Sequence, residues 1–241
     1  MSPISLGHSL RPQGSSRVVL CCDHASNAIP EELHDLGISS LDLTRHIAWD
    51  IGAAGVTRAL SEILDAPAIL CGTSRLVVDC NRHLDSVDLI PESSDQTTIP
   101  GNVHLTLSDR TSRIERWFHP YHNAIEEILC ERKGRGAPTL LVSIHSMTAS
   151  LGGIPRPWEI AFSSHSDRHV VDPVLAALRR SGDILVGDNQ PYDLDPDIDY
   201  TIPHHALSCG LPHLQVEFRQ DEIETTTAQW HWAARFAQAL P

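Results

Sequence analysis

No apolar run in this chain approaches the ~20 residues that a membrane-spanning helix requires, so no membrane partner is expected. The opening, "MSPISLGHSLRPQGSSR", lacks the continuous apolar stretch that drives export. Residues 1–16 are read as a loose N-terminal arm, and the protein as cytoplasmic. The six cysteines, at 21, 22, 71, 80, 130 and 209, include no CxxC pair. Without an export signal they are expected as reduced thiols rather than as disulfides. Basic charge is scarce too: 18 Lys and Arg stand against 31 Asp and Glu, a net charge of −13. That balance excludes nucleic-acid binding through a broad basic face, and it means that an anionic substrate needs arginines gathered locally. No internal repeat and no break in composition marks a linker, so one domain over residues 1–241 is the simplest organisation.

What is present has the composition of an ordinary globular protein, 41% hydrophobic and 20% charged. Apolar, β-rich runs at 18–23, 68–71, 75–80, 139–144, 159–164, 183–187 and 213–219 alternate with helical stretches at 41–64, 108–133, 168–181 and 226–239. This pattern predicts an α/β fold, a mixed and largely parallel sheet flanked by helices. Two long irregular segments, 84–106 and 188–212, are the kind that serve a site.

Open α/β sheets place ligands at the carboxyl ends of their strands. In this chain those ends carry Asp23-His24, Asn81-Arg82, His145-Ser146 and Glu217-Phe218-Arg219. A catalytic zinc typically takes three protein ligands and keeps a position for water. His24 and His145 supply two, and Asp50 in "HIAWDIGA" is the best third, with Asn27 and His46 as rivals. A carboxylate beside that water can take its proton and pass it to a leaving amine, a role that fits Glu217. Strand alternation puts Arg219 on the same face as Glu217, so the two either cooperate in one site or form an internal salt bridge. Arg75, Arg82 and Arg156 are candidates for a bidentate clamp on a substrate carboxylate, with Asp79 as an internal partner for one of them.

The pieces "DHASNAIP", "HIAWDIGA", "SRLVVDCNR", "IPGN", "HPYHNAI", "SIHSM", "VGDNQPYD" and "GLPHLQVEFRQD" run in order from about residue 19 to 222. In them the chain resembles the N-formylglutamate amidohydrolase family, which is more distantly related to zinc carboxypeptidases and aspartoacylase. The resemblance implies a phosphorylase/hydrolase-like, zinc carboxypeptidase-like fold, one zinc ion, and hydrolysis of the amide of an N-acyl amino acid, N-formyl-L-glutamate first among them. It also implies that "VDCNR" supplies a carboxylate-binding pair, Asn81 and Arg82, that "SIHSM" carries the second histidine ligand, His145, and that "QVEFRQ" carries the catalytic Glu217. Asn27 departs from the pattern, standing where carboxypeptidases have a glutamate ligand.

Two other readings compete. A serine nucleophile at Ser146 or Ser26 lacks a GxSxG elbow, and each has its histidine adjacent in sequence, on the opposite face of a strand. Alternatively, a non-catalytic protein that binds a metal or an acidic metabolite accounts for the histidines and arginines but gives Glu217 no role.

Overall fold

A computed structural model of the protein describes residues 8–241. Its centre is a seven-stranded sheet of β1 (His8–Leu10), β2 (Val18–Cys22), β3 (Ala68–Leu70), β4 (Leu140–Met147), β5 (Ile160–Ser163), β6 (Val186–Asp188) and β7 (His213–Arg219), in the order β1-β3-β2-β4-β7-β5-β6. The pairs β3–β2, β2–β4, β4–β7 and β5–β6 are parallel, whereas β1–β3 and β7–β5 are antiparallel. The sheet is therefore mixed and largely parallel, as the alternation of strand and helix signals predicts.

Side-chain alternation divides the core between the two faces. Val18, Leu20 and Cys22 of β2, Val142 and Ile144 of β4, and Val216 and Phe218 of β7 pack on one side. There they meet α1 (Ala53–Leu64), α4 (Val171–Arg179) and α6 (Thr226–Ala239). Val19, Cys21 and Leu141 face the other side, where Tyr121, Ile125 and Ile128 of α3 (His119–Gly134) and the buried run Leu76–Val78 cover them. On this second face β4 and β7 become polar toward their carboxyl ends, through Ser143 and His145 and through Gln215 and Glu217, all of them buried. A buried polar row needs partners, and its position marks the site.

Four expectations need correction. Residues 75–80 form turns and not a strand. Leu76, Val77 and Val78 are fully buried and so mimic a core strand, but the backbone of this segment bonds to Ala48, Ser74 and Leu89 instead of a strand neighbour. The helix expected over 41–64 begins only at Ala53. Gly52 has φ of +83° and lies so close to Ile223 that an added Cβ would stand 2.5 Å from the Ile223 carbonyl oxygen. The chain therefore turns at this point, and Asp50 stands in that turn and not within the helix. The helix expected over 108–133 is α2 (Leu107–Arg113) joined to α3 by a π-helical turn, Ile114–Phe118. Pro120 cannot donate to a carbonyl one turn back, and such a site favours a π-bulge. Finally, within the N-terminal arm, residues 1–7 lie outside the described residues, while 8–10 form the edge strand β1 and Ser15 is tied to Asp65. Among the described residues no helix is long and apolar enough to cross a membrane.

Candidate active site

Asp23 and His24 follow β2 directly, and His145 lies inside β4, opposite Glu217 in the parallel register with β7. The imidazoles of His24 and His145 have centroids 5.2 Å apart. Both aim Nδ1 at one oxygen: Asp50 Oδ2 lies 3.3 Å from His24 and 3.0 Å from His145. The Asp50 turn reaches this point because its backbone N–H donates to the His24 carbonyl. Donor atoms of His24, Asp50 and His145 all lie within 4.8 Å of one another, and all three residues are buried.

The opposite ring edges are held by carboxylates. His24 Nε2 is 2.8 Å from Asp79, and His145 Nε2 is 3.1 Å from Asp23. Each ring thus stands between carboxylates, which only accept; in the tautomer that gives each Nε2 hydrogen to Asp79 or Asp23, each Nδ1 turns its lone pair inward. Asp23 also accepts from the hydroxyls of Tyr121 (2.9 Å), Ser143 (3.1 Å) and Thr201 (2.6 Å). Asp79 accepts from Arg75 Nε and Nη2 at 3.0 and 2.8 Å and from the Asn81 N–H at 2.9 Å. Burial alone would push both acids up, but His145 and His24 hold Asp23 below the carboxylate range, and Arg75 and His24 hold Asp79 well below it.

Three acceptor atoms facing one another repel unless positive charge lies among them. Burial, and for His24 also Arg75, pushes the imidazoles down. The surrounding carboxylates outweigh this, so His24 rises above its ordinary value and His145 well above it. The protons this favours occupy the place of a cation. Two imidazoles and a carboxylate are also a common ligand set for catalytic zinc, and a carboxylate behind each imidazole is the usual second shell of support. The residues present therefore fit a divalent ion.

Beside this cluster a cavity of about 250 Å³ opens, walled by Glu217, Gln215, Ser146, Arg75, Arg82 and the segment 192–199. Burial, with added repulsion from Asp50, raises Glu217 to about 7 against the pull of His145 and His24. His46, also on the wall, is lowered by burial to about 4, and its Nδ1 lies 3.7 Å from Asp50 Oδ1.

The other sequence candidates divide. Arg82 reaches the cavity and lies 3.6 Å from Asp199. Arg75 reaches it too, but its fork is taken up by Asp79, the internal partner weighed for it. Asn81 lines the cavity, yet its amide is engaged: Nδ2 donates to Asp199, and Oδ1 accepts from the N–H groups of Tyr200 and Thr201. Arg156 stands behind the wall, donating to Thr148 and to Tyr192, a cavity residue. Arg219 is not brought to Glu217. It donates to Asp221, Glu222 and the Pro157 carbonyl, because the strand ends there and the side chain turns to the loop acids. Asn27 donates to the Leu43 carbonyl and is not in the donor cluster. Sequence reasoning missed Asp23 as a support for His145 and Gln215 as a wall, whereas 192–199 falls within the irregular segment 188–212 that was expected to serve a site. The alternation in "HLQVEFR" was the available signal for Gln215, two residues before Glu217 on the same face.

Fold and site together define the class, an α/β protein with a mixed, largely parallel sheet and a buried cluster of candidate metal ligands near the carboxyl ends of its parallel strands. The chain belongs to the N-formylglutamate amidohydrolase family, whose model matches residues 16–224. Among solved structures it is similar to gene product Atu2144 from Agrobacterium tumefaciens, at 33% identity and a TM-score of 0.93, over 97% of this chain and 92% of that one. It shares its fold with an N-formylglutamate amidohydrolase from Ralstonia eutropha JMP134, at 18% identity and a TM-score of 0.74, over 98% of this chain and 95% of that one. A comparison with curated protein sequences gives no match.

Proposed function

We propose that this amidohydrolase cleaves the amide bond of an N-acyl amino acid, with His24, Asp50 and His145 holding one zinc ion and Glu217 acting as general base. The observation that carries this reading is the convergence of two Nδ1 atoms and a carboxylate oxygen, beside a buried glutamate that no side chain among the described residues pairs with directly. A zinc ion bound there would lower the pKa of a coordinated water to ~7 and polarise the substrate carbonyl. Glu217 takes the proton of the attacking water and delivers it to the departing amine nitrogen, which leaves as the free amino acid. Asp23 and Asp79 fix the two imidazoles in orientation and tautomer. Arg82 receives the substrate carboxylate with its planar fork, and Asn81 holds the segment 192–201 over the cavity.

A metal-binding protein without catalysis is the second reading, favoured only by how fully the Asn81 and Arg75 side chains are already bonded. The test is a panel of N-formyl, N-acetyl and longer N-acyl amino acids, with N-formyl-L-glutamate first. Release of amine is followed before chelation, after chelation and after zinc is restored. Turnover lost on chelation and regained with zinc supports the hydrolase. Stoichiometric zinc with no turnover of any member supports the binding protein.

A further inference from the structure

One histidine on the cavity wall has neither ring nitrogen in a hydrogen bond among the described residues. His46 lines the cavity with its side chain 27% exposed, and it lies outside the donor cluster of His24, Asp50 and His145. Its Nδ1 is buried without a hydrogen bond, 3.7 Å from Asp50 Oδ1. The other oxygen of that carboxylate, Oδ2, is the one that meets both ligand imidazoles. His46 and the proposed zinc centre therefore flank a single carboxylate, and the ring stands within a small substrate's reach of the centre.

Beside a carboxylate oxygen a lone pair on Nδ1 is repelled, so the neutral ring carries its hydrogen there and keeps its lone pair on Nε2. Neutrality requires no special surroundings, since an imidazole's ordinary pKa of ~6.5 already leaves most of it unprotonated at pH 7. With Nδ1 buried against Asp50, the exposed part of the ring includes the Nε2 edge, which is turned to the cavity. An unfilled acceptor in such a place calls for a donor.

An N-acyl amino acid has few donors to give. At pH 7 its carboxylates and its carbonyl only accept, so in N-formyl-L-glutamate the hydrogen on the scissile nitrogen is the single strong donor. Glu217 cannot hold that hydrogen and also reach the nitrogen lone pair, which it must do to protonate the departing amine. We infer that His46 is a substrate-contacting residue: its Nε2 accepts the N–H of the scissile amide, and the lone pair that forms as the carbonyl is attacked is left to Glu217. The site thereby selects secondary amides over esters of the same shape. The inference rests on the amide-hydrolase reading for the reaction, but its binding prediction is read without turnover.

The experiment compares N-formyl-L-glutamate with the formate ester of (S)-2-hydroxyglutarate, in which an oxygen replaces the N–H. Each is titrated by calorimetry into zinc-loaded Glu217→Gln protein, so that the amide is not consumed and the fresh ester is followed over one short run. The amide should bind more tightly than the ester by about tenfold. His46→Ala in the same background should keep one zinc per chain and bring the ratio close to one, by weakening the amide alone. His46→Gln can return an acceptor oxygen to the same place and should restore part of the preference. Differences in how the two carbonyls meet the zinc are common to all three proteins and cancel in the comparison. A ratio near one with His46 in place, no binding of either compound, or a ratio unchanged by His46→Ala overturns the inference. Loss of zinc from both His46 variants overturns it too, by making His46 a ligand. The first two results decide the matter even where His46→Ala fails to fold. Turnover of N-formyl-L-glutamate is read separately on the unaltered zinc-loaded enzyme. Its absence contradicts the amide-hydrolase reading, while the binding ratios still decide the contact at His46.

Discussion

At the scale of single residues, the site depends on which atom of each ring faces inward. His24 and His145 were legible in the sequence because each closes an apolar run, although β4 continues past His145 to Met147. Asp79 was visible only as a partner for arginine, and Asp23 only as a neighbour of His24. The register that brings both acids to the Nε2 edges comes from long-range contacts. Asp23→Asn and Asp79→Asn are therefore expected to weaken zinc affinity by 10–100-fold, read by competition with a chelating dye. His24→Ala should abolish stoichiometric binding. Glu217 makes a less obvious prediction. In the metal-free protein its carboxyl is raised to about 7, chiefly by burial. A carboxyl with a raised folded pKa contributes stability below its unfolded value of ~4.3 and loses it as pH rises through the folded value. Metal-free Glu217→Gln should thus match the unaltered protein near pH 4 and be more stable than it at pH 8, by roughly 1–3 kcal/mol in denaturant titration. A variant less stable at pH 8 contradicts the burial of an uncompensated carboxylate. Arg82→Lys keeps the charge and loses the fork. It should lower kcat/KM by about tenfold, or 1.4 kcal/mol, for an N-acyl amino acid but not for the matching amide without the carboxylate.

At the scale of elements, strands were read well where alternation and burial agree, as in β7, which spans the expected 213–219. They were misread where a helix, strand or turn can bury the same apolar run. Residues 75–80 carry that lesson, since three buried aliphatics in a row do not distinguish a strand from a packed turn. Asp50 was placed inside a helix expected over 41–64, whereas α1 begins only at Ala53, because the contact that requires Gly52 comes from Ile223, far along the chain. The segment 192–201 is held by Asn81, whose carboxamide oxygen accepts at 3.0 Å from the N–H groups of Tyr200 and Thr201, where the short helix α5 (Thr201–His205) begins. Asn81→Ala should cost about 1 kcal/mol, as for loss of a helix cap. It should also speed amide exchange selectively in residues 192–201, read by hydrogen–deuterium exchange. Uniform exchange throughout the chain would argue that Asn81 supports the fold as a whole.

At the scale of the whole molecule, the mixed sheet was legible from the alternation of element types. Its strand order was not, because order depends on crossovers that composition does not encode. A buried histidine pair adds a global property. His122 Nδ1 lies 3.0 Å from His205 Nε2, and His122 Nε2 lies 2.9 Å from the Cys80 carbonyl. The carbonyl makes His122 Nε2 the N–H edge, so His205 donates across the pair and both rings are neutral. Burial lowers them to about 4 and about 3, with mutual repulsion adding to His205. With folded values below the unfolded ~6.5, their contribution is complete above that pH and is lost as pH falls toward the folded values. His205→Gln keeps a donor without a titrating ring. The drop in melting temperature between pH 7 and pH 4.5 should be smaller in this variant than in the unaltered protein, and an equal drop would place the acid sensitivity elsewhere.

The central claim joins one bound ion to one proton-transferring carboxylate, and the most direct test measures both in the same sample. Glu217→Gln preserves shape and lies outside the proposed ligand set, so the purified variant and the unaltered protein should each hold one zinc per chain by elemental analysis. Its turnover of an N-acyl amino acid should fall by ~10²–10⁴. A zinc-replete variant with near-normal turnover would contradict the assignment of Glu217, and full turnover in zinc-free protein would contradict the metal centre itself.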